Sequence, residues 1–147
     1  MVLRYEGTTA YCAVTVLRLL LVMEREGEES LLGSMMDHNQ ERMEEQPEVW
    51  NFETEFVVLR LQDRLGLRSR FTEAQIRRAA GILATNSTSL QFPSEDHVKG
   101  NGLYPVYSMM NHSCSCNTKT IIDSSSQFEM TIMAHVDIEA GEQITNQ

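Results

Sequence analysis

Cysteine is scarce in this sequence, because only three of its 147 residues are cysteine. An odd number of cysteines, without a secretory signal, argues against a disulfide framework. Basic residues are also few, since 12 Lys and Arg stand against 21 Asp and Glu, which gives a net charge of −9. An acidic surface repels phosphate backbones, so we expect no direct nucleic-acid partner, whereas a lysine-rich peptide would fit this charge.

Long hydrophobic runs are absent as well. The most apolar stretch, residues 10–23, spans 14 residues and contains Arg18, whereas a transmembrane helix needs about 20 apolar residues. Acidic residues follow this stretch and no small-residue cleavage site does, so it does not match a secretory signal either. We therefore expect a buried helix of an intracellular protein, without a membrane partner.

The first half of the sequence has the apolar spacing of helices. Thr8 or Thr9 can cap the first helix. We expect this helix to run to about Arg25 and to stop at Gly27, since glycine commonly follows a helix end. A short second helix is predicted for residues 31–36.

Two further helices are predicted after these. The third begins at Pro47, which suits a first helical turn, and ends at Gly66. The fourth begins at Thr72, which forms a capping box with Gln75. The predicted inner faces are Val49, Phe52, Phe56 and Leu59 in the third helix, and Ile76, Ala79, Ala80 and Leu83 in the fourth.

The second half of the sequence changes character at about Ala84, where helical periodicity stops. Residues 118–122 and the alternating residues 127–136 predict two strands around a serine turn at 124–126, which together make a hairpin. A further turn is predicted at 139–142. One face of the second strand would carry Phe128, Met130, Ile132 and Ala134. Helices followed by short strands predict an α+β fold rather than a βαβ repeat.

The chemically richest segment is residues 111–117, which read NHSCSCN. His112, Cys114 and Cys116 could each bind zinc, but a structural zinc site needs four ligands and the chain offers no second pair. A nucleophilic Cys–His pair would need an orienting partner. A polar turn leading into a strand needs the fewest assumptions, so the segment alone does not decide its chemistry.

Three motifs in order give this segment a context. They are Gly-Leu-Tyr-Pro at 102–105, Asn-His-Ser-Cys at 111–114, and residues 133–145, which end in Ile-Glu-Ala-Gly-Glu-Gln-Ile-Thr. This order and spacing resembles the SET domain, and within it the SET-and-MYND (SMYD-like) family of protein-lysine methyltransferases. By resemblance, residues 1–85 are the helical insert of the SET domain and residues 86–147 are a SET core segment.

The resemblance implies a protein of the cytoplasm and nucleus that methylates a lysine-containing peptide, with histones among the candidate substrates. Its cofactor would be S-adenosyl-L-methionine. The residues implied to contact the cofactor are Asn86, Ser108, Met109, Asn111, His112 and, more loosely, His38. A helix C-cap also explains Asn86, and a solvated loop also explains His38.

The resemblance also implies a metal site at Cys114. In the family this cysteine joins three further cysteines around one zinc, in a closed tetrahedral site. Two positions depart from the family pattern: Cys116 stands where relatives usually have proline, and Gln143 replaces a second glutamate. These departures support an alternative in which the chain is a non-catalytic SET-like protein-interaction module.

In the family, two further residues follow the Gly-Glu-x-Ile-Thr motif and the catalytic tyrosine comes next, which would be the position after Gln147. We therefore expect these 147 residues alone to transfer no methyl group, because the tyrosine aligns the reacting atoms. A radiolabelled methyl-transfer assay with histone and non-histone peptides tests this expectation. A signal above the no-enzyme blank that is lost in an Asn111→Ala variant would contradict it.

Overall fold

The computed structural model describes residues 2–27, 29–91 and 99–146. They belong to two compact units, Met1–Thr85 and Asn86–Gln147. The helices are α1 (Val2–Glu26), α2 (Asn39–Glu45), α3 (Pro47–Glu53), α4 (Glu73–Asn86) and α5 (Pro105–Ser108). The strands are β1 (Ser87–Gln91), β2 (Lys99–Leu103), β3 (Asn111–His112), β4 (Thr118–Asp123), β5 (Glu129–Ala134) and β6 (Thr145–Asn146). Helices combined with small sheets confirm the predicted α+β class.

The first helix is longer than predicted. It begins at Val2, so Thr8 and Thr9 lie inside it and do not cap it. Its predicted end is confirmed, because Gly27 has φ +85° and its N–H donates to the carbonyl of Met23 at 2.9 Å. Across the described residues, no helix combines the length and the apolar character that a bilayer crossing requires.

The helix predicted for residues 31–36 is wrong, and α2 was not predicted. Residues 31–36 form turns in which the Ser30 hydroxyl, rather than a helical carbonyl, accepts from the N–H of Gly33 at 3.2 Å. Serine side chains compete in this way with helical hydrogen bonds. The α2 helix starts where the Asp37 carboxylate accepts from the N–H of Asn39 at 3.0 Å.

The inner face predicted for the third helix is also wrong in part. Val49 and Leu59 are 44% and 42% exposed, whereas Val57, Val58 and Leu61 are at most 2% exposed. Val49 lies in the first turn of α3, and Leu59 follows wider π-helical turns, which residues 54–58 and 60–64 form in continuation of α3. Such i→i+5 turns rotate the following side chains away from the positions that a 3.6-residue period predicts.

The α4 helix forms much as predicted. The Thr72 N–H donates to Gln75 Oε1 at 2.9 Å, and the Gln75 N–H donates to Thr72 Oγ1 at 3.3 Å, which confirms the capping box. The buried apolar residues on this helix are Ile76, Ala79, Ala80 and Ile82. Leu83 is only half-buried, so the inner face is centred closer to Ile82 than predicted.

Gly81 lets α4 approach the turn that carries His38. A Cβ atom at this position would lie 2.5 Å from the carbonyl oxygen of Asp37 and 2.6 Å from Asn39 Oδ1. Since the first of these neighbours is backbone, it cannot simply rotate away. A side chain at position 81 would therefore push the helix and the turn apart.

The described part of the second unit, residues 86–91 and 99–146, forms three small two-stranded sheets. The predicted hairpin is confirmed: β4 pairs antiparallel with β5, and Met130 and Ile132 are half-buried on its inner face. The second strand is shorter than predicted, because Gln127 and Phe128 have φ of 55° and 60° and belong to the turn. The antiparallel pair β1–β2 was not predicted, and the turn at residues 139–142 is confirmed by the Glu142 N–H bond to the carbonyl of Glu139.

Candidate functional site

The Asn-His-Ser turn is joined to the last described residues of the chain by a short parallel sheet. In this sheet β3 pairs with β6, so that Asn111 lies opposite Thr145 and His112 opposite Asn146. The N–H of Ser113 also donates to the carbonyl of Asn146 at 2.7 Å. Two motifs more than 30 residues apart in the sequence therefore form one local structure.

The side chain of Asn117 connects this sheet to the hairpin. Its Nδ2 donates to the carbonyl of Gln143 at 2.8 Å, and its Oδ1 accepts from the N–H of Thr145 at 2.9 Å. Its own carbonyl accepts from the N–H of His135 at 3.1 Å. Asn117 is only 6% exposed, so water cannot readily replace these partners.

Two neighbouring side chains strengthen the same connection. The hydroxyl of Thr118 donates to the carbonyl of Thr145 at 2.7 Å. The Asn146 amide, whose residue is 8% exposed, donates to the carbonyl of Tyr107 at 3.4 Å. The chain on both sides of the Asn-His-Ser turn is thus fixed by buried polar contacts.

The α5 helix places Ser108 beside Asn86, and both residues are predicted to contact the cofactor. Pro105 occupies its first turn, as its fixed φ favours. The Ser108 hydroxyl lies 2.9 Å from the carbonyl of Asn86 and 3.0 Å from the carbonyl of Tyr104, either of which can accept its proton. Met109, the next residue, is 58% exposed and presents an apolar surface beside them.

Tyr104 ties the same region to the hairpin turn. Its hydroxyl donates to the carbonyl of Phe128 at 2.7 Å. Burial raises the pKa of this hydroxyl, which therefore remains a hydrogen-bond donor at neutral pH. The ring packs so closely on Gly102 that a Cβ atom there would lie 2.6 Å from Tyr104 Cε2. Within the Gly-Leu-Tyr-Pro motif, Gly102 thus leaves room for the ring of Tyr104 to pack against the backbone.

The side chains of Asn111 and His112 are exposed. The side-chain amide of Asn111 makes no hydrogen bond with any residue that the structure describes, so it is available to a ligand. The His112 Nε2 lies 3.6 Å from the Cys114 sulfur, which is also exposed. Two ligands of one tetrahedral zinc would lie about 3.5 Å apart, given Zn–S of about 2.3 Å and Zn–N of about 2.0 Å.

Cys116 is oriented differently. Its sulfur donates to the carbonyl of Thr118 at 3.3 Å and is half-buried. Within residues 2–27, 29–91 and 99–146, no three His, Cys, Asp or Glu side chains come together as a metal site would require. The zinc ligand predicted at Cys114 stays a prediction, with His112 as the one candidate ligand that the described residues place within 4 Å of its sulfur.

An open depression lies beside the Asn-His-Ser turn. Polar side chains that line it include Ser113, Asn117, His135, Glu142 and Thr145, and Val136 adds an apolar surface. The residues come from three separate stretches of chain, which the Asn117 contacts hold in place.

His38, the remaining predicted contact, lies in the first unit. It precedes α2 in a left-handed conformation with φ 48°, and its Nδ1 pairs with the Glu41 carboxylate. It borders a shallow depression that also involves Arg42 and Thr85. The helix-cap explanation of Asn86 agrees with its position as the last residue of α4.

Sequence reasoning missed Asn117 and Tyr104 as positioning residues. Asn117 was part of the NHSCSCN segment, and Tyr104 was part of the Gly-Leu-Tyr-Pro motif. Nothing in the residue types of these two segments marks either residue as a positioning residue. Their partners lie more than 20 residues away, so no local pattern identifies them.

Comparison with protein families gives one match. The family model described as the SET domain matches residues 11–147. Searches of curated proteins and of solved structures gave no significant match.

We predict that Asn117→Ala destabilises the second unit. Thr145 and Gln143 would lose buried partners, which should lower the free energy of unfolding by about 2–3 kcal/mol. Urea unfolding measures this loss, and hydrogen exchange at the Thr145 amide should accelerate. Asn101→Ala is the matched control, because Asn101 is exposed on β2 and should change stability by less than about 0.5 kcal/mol. Equal effects of the two substitutions would contradict the role of Asn117.

Proposed function

The chain belongs to the SET-domain family, and on that premise we propose that it forms part of an S-adenosylmethionine-dependent protein-lysine N-methyltransferase of the SET-and-MYND type. Methyl transfer to protein lysine is the general activity of SET domains. The observation that best supports the proposal is the β3–β6 pairing, which holds the Asn-His-Ser turn in a fixed conformation. Exposed polar side chains on a rigid backbone suit ligand binding.

The described residues fit a cofactor that has both polar and apolar parts. Asn111 and His112 offer exposed hydrogen-bonding groups, and Met109 offers an apolar surface that is 58% exposed. The Ser108 hydroxyl is within hydrogen-bonding distance of two carbonyls and so fixes the backbone from which Met109 projects. When bound, S-adenosylmethionine supplies the methyl group as an electrophile.

The charge of the second unit fits a cationic peptide. Residues 86–147 contain seven Asp and Glu against two Lys and no Arg, so 2 − 7 gives a net charge of −5. A negative field attracts a lysine-rich segment and raises its rate of association. A lysine amine must lose its proton and lie in line with the methyl donor before it can accept a methyl group. The protein must therefore position the peptide as well as attract it. The buried contacts of Asn117 and Tyr104 hold the surface that would do this.

Cofactor binding by the full-length protein tests the proposal through Asn111. Asn111→Ala should weaken the binding of S-adenosylmethionine about 5- to 150-fold, because an unmet buried polar partner costs about 1–3 kcal/mol. Isothermal titration calorimetry measures the affinity. Cys116→Pro is the matched control, since it only restores the usual residue of the resembled family, and it should leave the affinity close to that of the wild type.

Two outcomes would contradict this assignment. Equal loss of affinity in both variants would show that the cofactor binds elsewhere. A folded wild-type protein that binds no S-adenosylmethionine would favour the non-catalytic SET-like interaction module instead.

We also propose Cys114 as a zinc ligand in the full-length protein. Its exposed sulfur supports this role, because it is accessible to the three further cysteines that the family resemblance implies. Cys114→Ser should remove one zinc per chain, as measured by elemental analysis, because the thiolate ligand is lost. Cys12→Ser is the matched control, since Cys12 is half-buried on α1. Unchanged zinc content in Cys114→Ser would contradict this proposal.

A further inference from the structure

One face of α1 is exposed in a regular pattern. From residue 11 onward, the exposed positions recur at spacings of three and four, and we call this set the α1 seam: Tyr11, Val14, Arg18, Leu21 and Arg25. Tyr11 is 74% exposed, Val14 45% and Leu21 39%. Apolar residues at this spacing are what a helix presents to a second helix that packs along it.

The opposite face of α1 is fully occupied. Ala13, Val16, Leu19 and Leu20 are at most 6% exposed and belong to the core of the first unit. The apolar residues of the α1 seam are therefore additional to those that hold the helix in place. Exposure of these apolar side chains to water is unfavourable in free energy, and a partner that covered them would remove this cost.

The centre of the α1 seam carries a positive charge. Arg18 makes no ion pair or hydrogen bond with any residue that the structure describes. Among the described residues, Arg25 pairs only with the adjacent Glu26, at 3.1 Å between exposed side chains. The next acidic residue, Glu24, is engaged by Arg70 at 2.5 Å. The seam is thus cationic, although the chain carries a net charge of −9.

We propose that the α1 seam docks an amphipathic helix of a partner protein, with acidic residues that face Arg18 and apolar residues that cover Val14 and Leu21. A second copy of the chain fits less well, because two-fold antiparallel pairing about the middle of the seam would place Arg18 against Arg18. An anionic membrane also fits less well, because the net charge of −9 opposes it. This docking goes beyond methyl transfer and does not depend on it.

Two synthetic helices test the charge requirement. Each has three heptads with leucine at the a and d positions, and they differ only in carrying glutamate or lysine at the positions that face Arg18. Fluorescence anisotropy with the full chain should show that the glutamate peptide binds at least about tenfold more tightly, the change expected of one charge pair across an interface.

Reversal of the seam charge should reverse this preference. Arg18→Glu should bind the lysine peptide more tightly, and Arg18→Ala should bind both peptides about equally. Arg64→Glu makes the same charge change at an exposed residue outside the seam and should leave the preference for glutamate intact. Circular dichroism verifies that each variant is folded.

Three results would overturn the proposal. The first is an unchanged peptide preference in Arg18→Glu. The second is a dimer in sedimentation velocity that Arg18→Glu abolishes, since the seam would then serve a second copy. The third is binding to phosphatidylserine vesicles without binding to either peptide, which would assign the seam to a lipid surface.

Discussion

The second unit depends on one buried amide, that of Asn117. Its nitrogen donates to Gln143 and its oxygen accepts from Thr145, at 2.8 and 2.9 Å. A buried amide group must satisfy both of its ends, and Asn117 does so on two backbone groups that lie two residues apart. The last described strand is therefore held by a side chain as much as by its two-residue ladder with β3.

The first unit is held together in a different way. Its apolar core is crossed by charged side chains: Arg42, 8% exposed, pairs with Glu53, and Arg77, also 8% exposed, lies 3.9 Å above the centroid of the Trp50 ring. Removal of one partner of such a buried pair commonly costs about 3–5 kcal/mol, because the other charge stays buried. An ion pair and a cation–π contact thus fix the helices of this unit in addition to hydrophobic contacts.

The sequence predicts best where the determining contacts are local. The capping box of Thr72 and Gln75 lies within four residues, and the α4 helix formed as expected. Leu59 was wrongly placed on the inner face because the π-helical turns after α3 break the period on which that prediction rested. The β3–β6 pair could not be predicted from periodicity, since a two-residue parallel ladder has no pattern of its own and its register depends on Asn117.

The candidate site divides its polar residues into two roles that the sequence does not distinguish. Asn111 and Asn117 are the same residue type within one seven-residue segment, yet one is exposed and the other 6% exposed. The buried asparagine fixes the backbone, and the exposed one is left with its amide available. Cys114 and Cys116 divide similarly, because the Cys116 sulfur bonds to the carbonyl of Thr118 whereas the Cys114 sulfur faces His112. The contacts of Asn117 and Cys116 hold the backbone of the segment in place. The exposed side chains of Asn111 and Cys114 can then bind a ligand without the entropy cost of ordering a flexible turn.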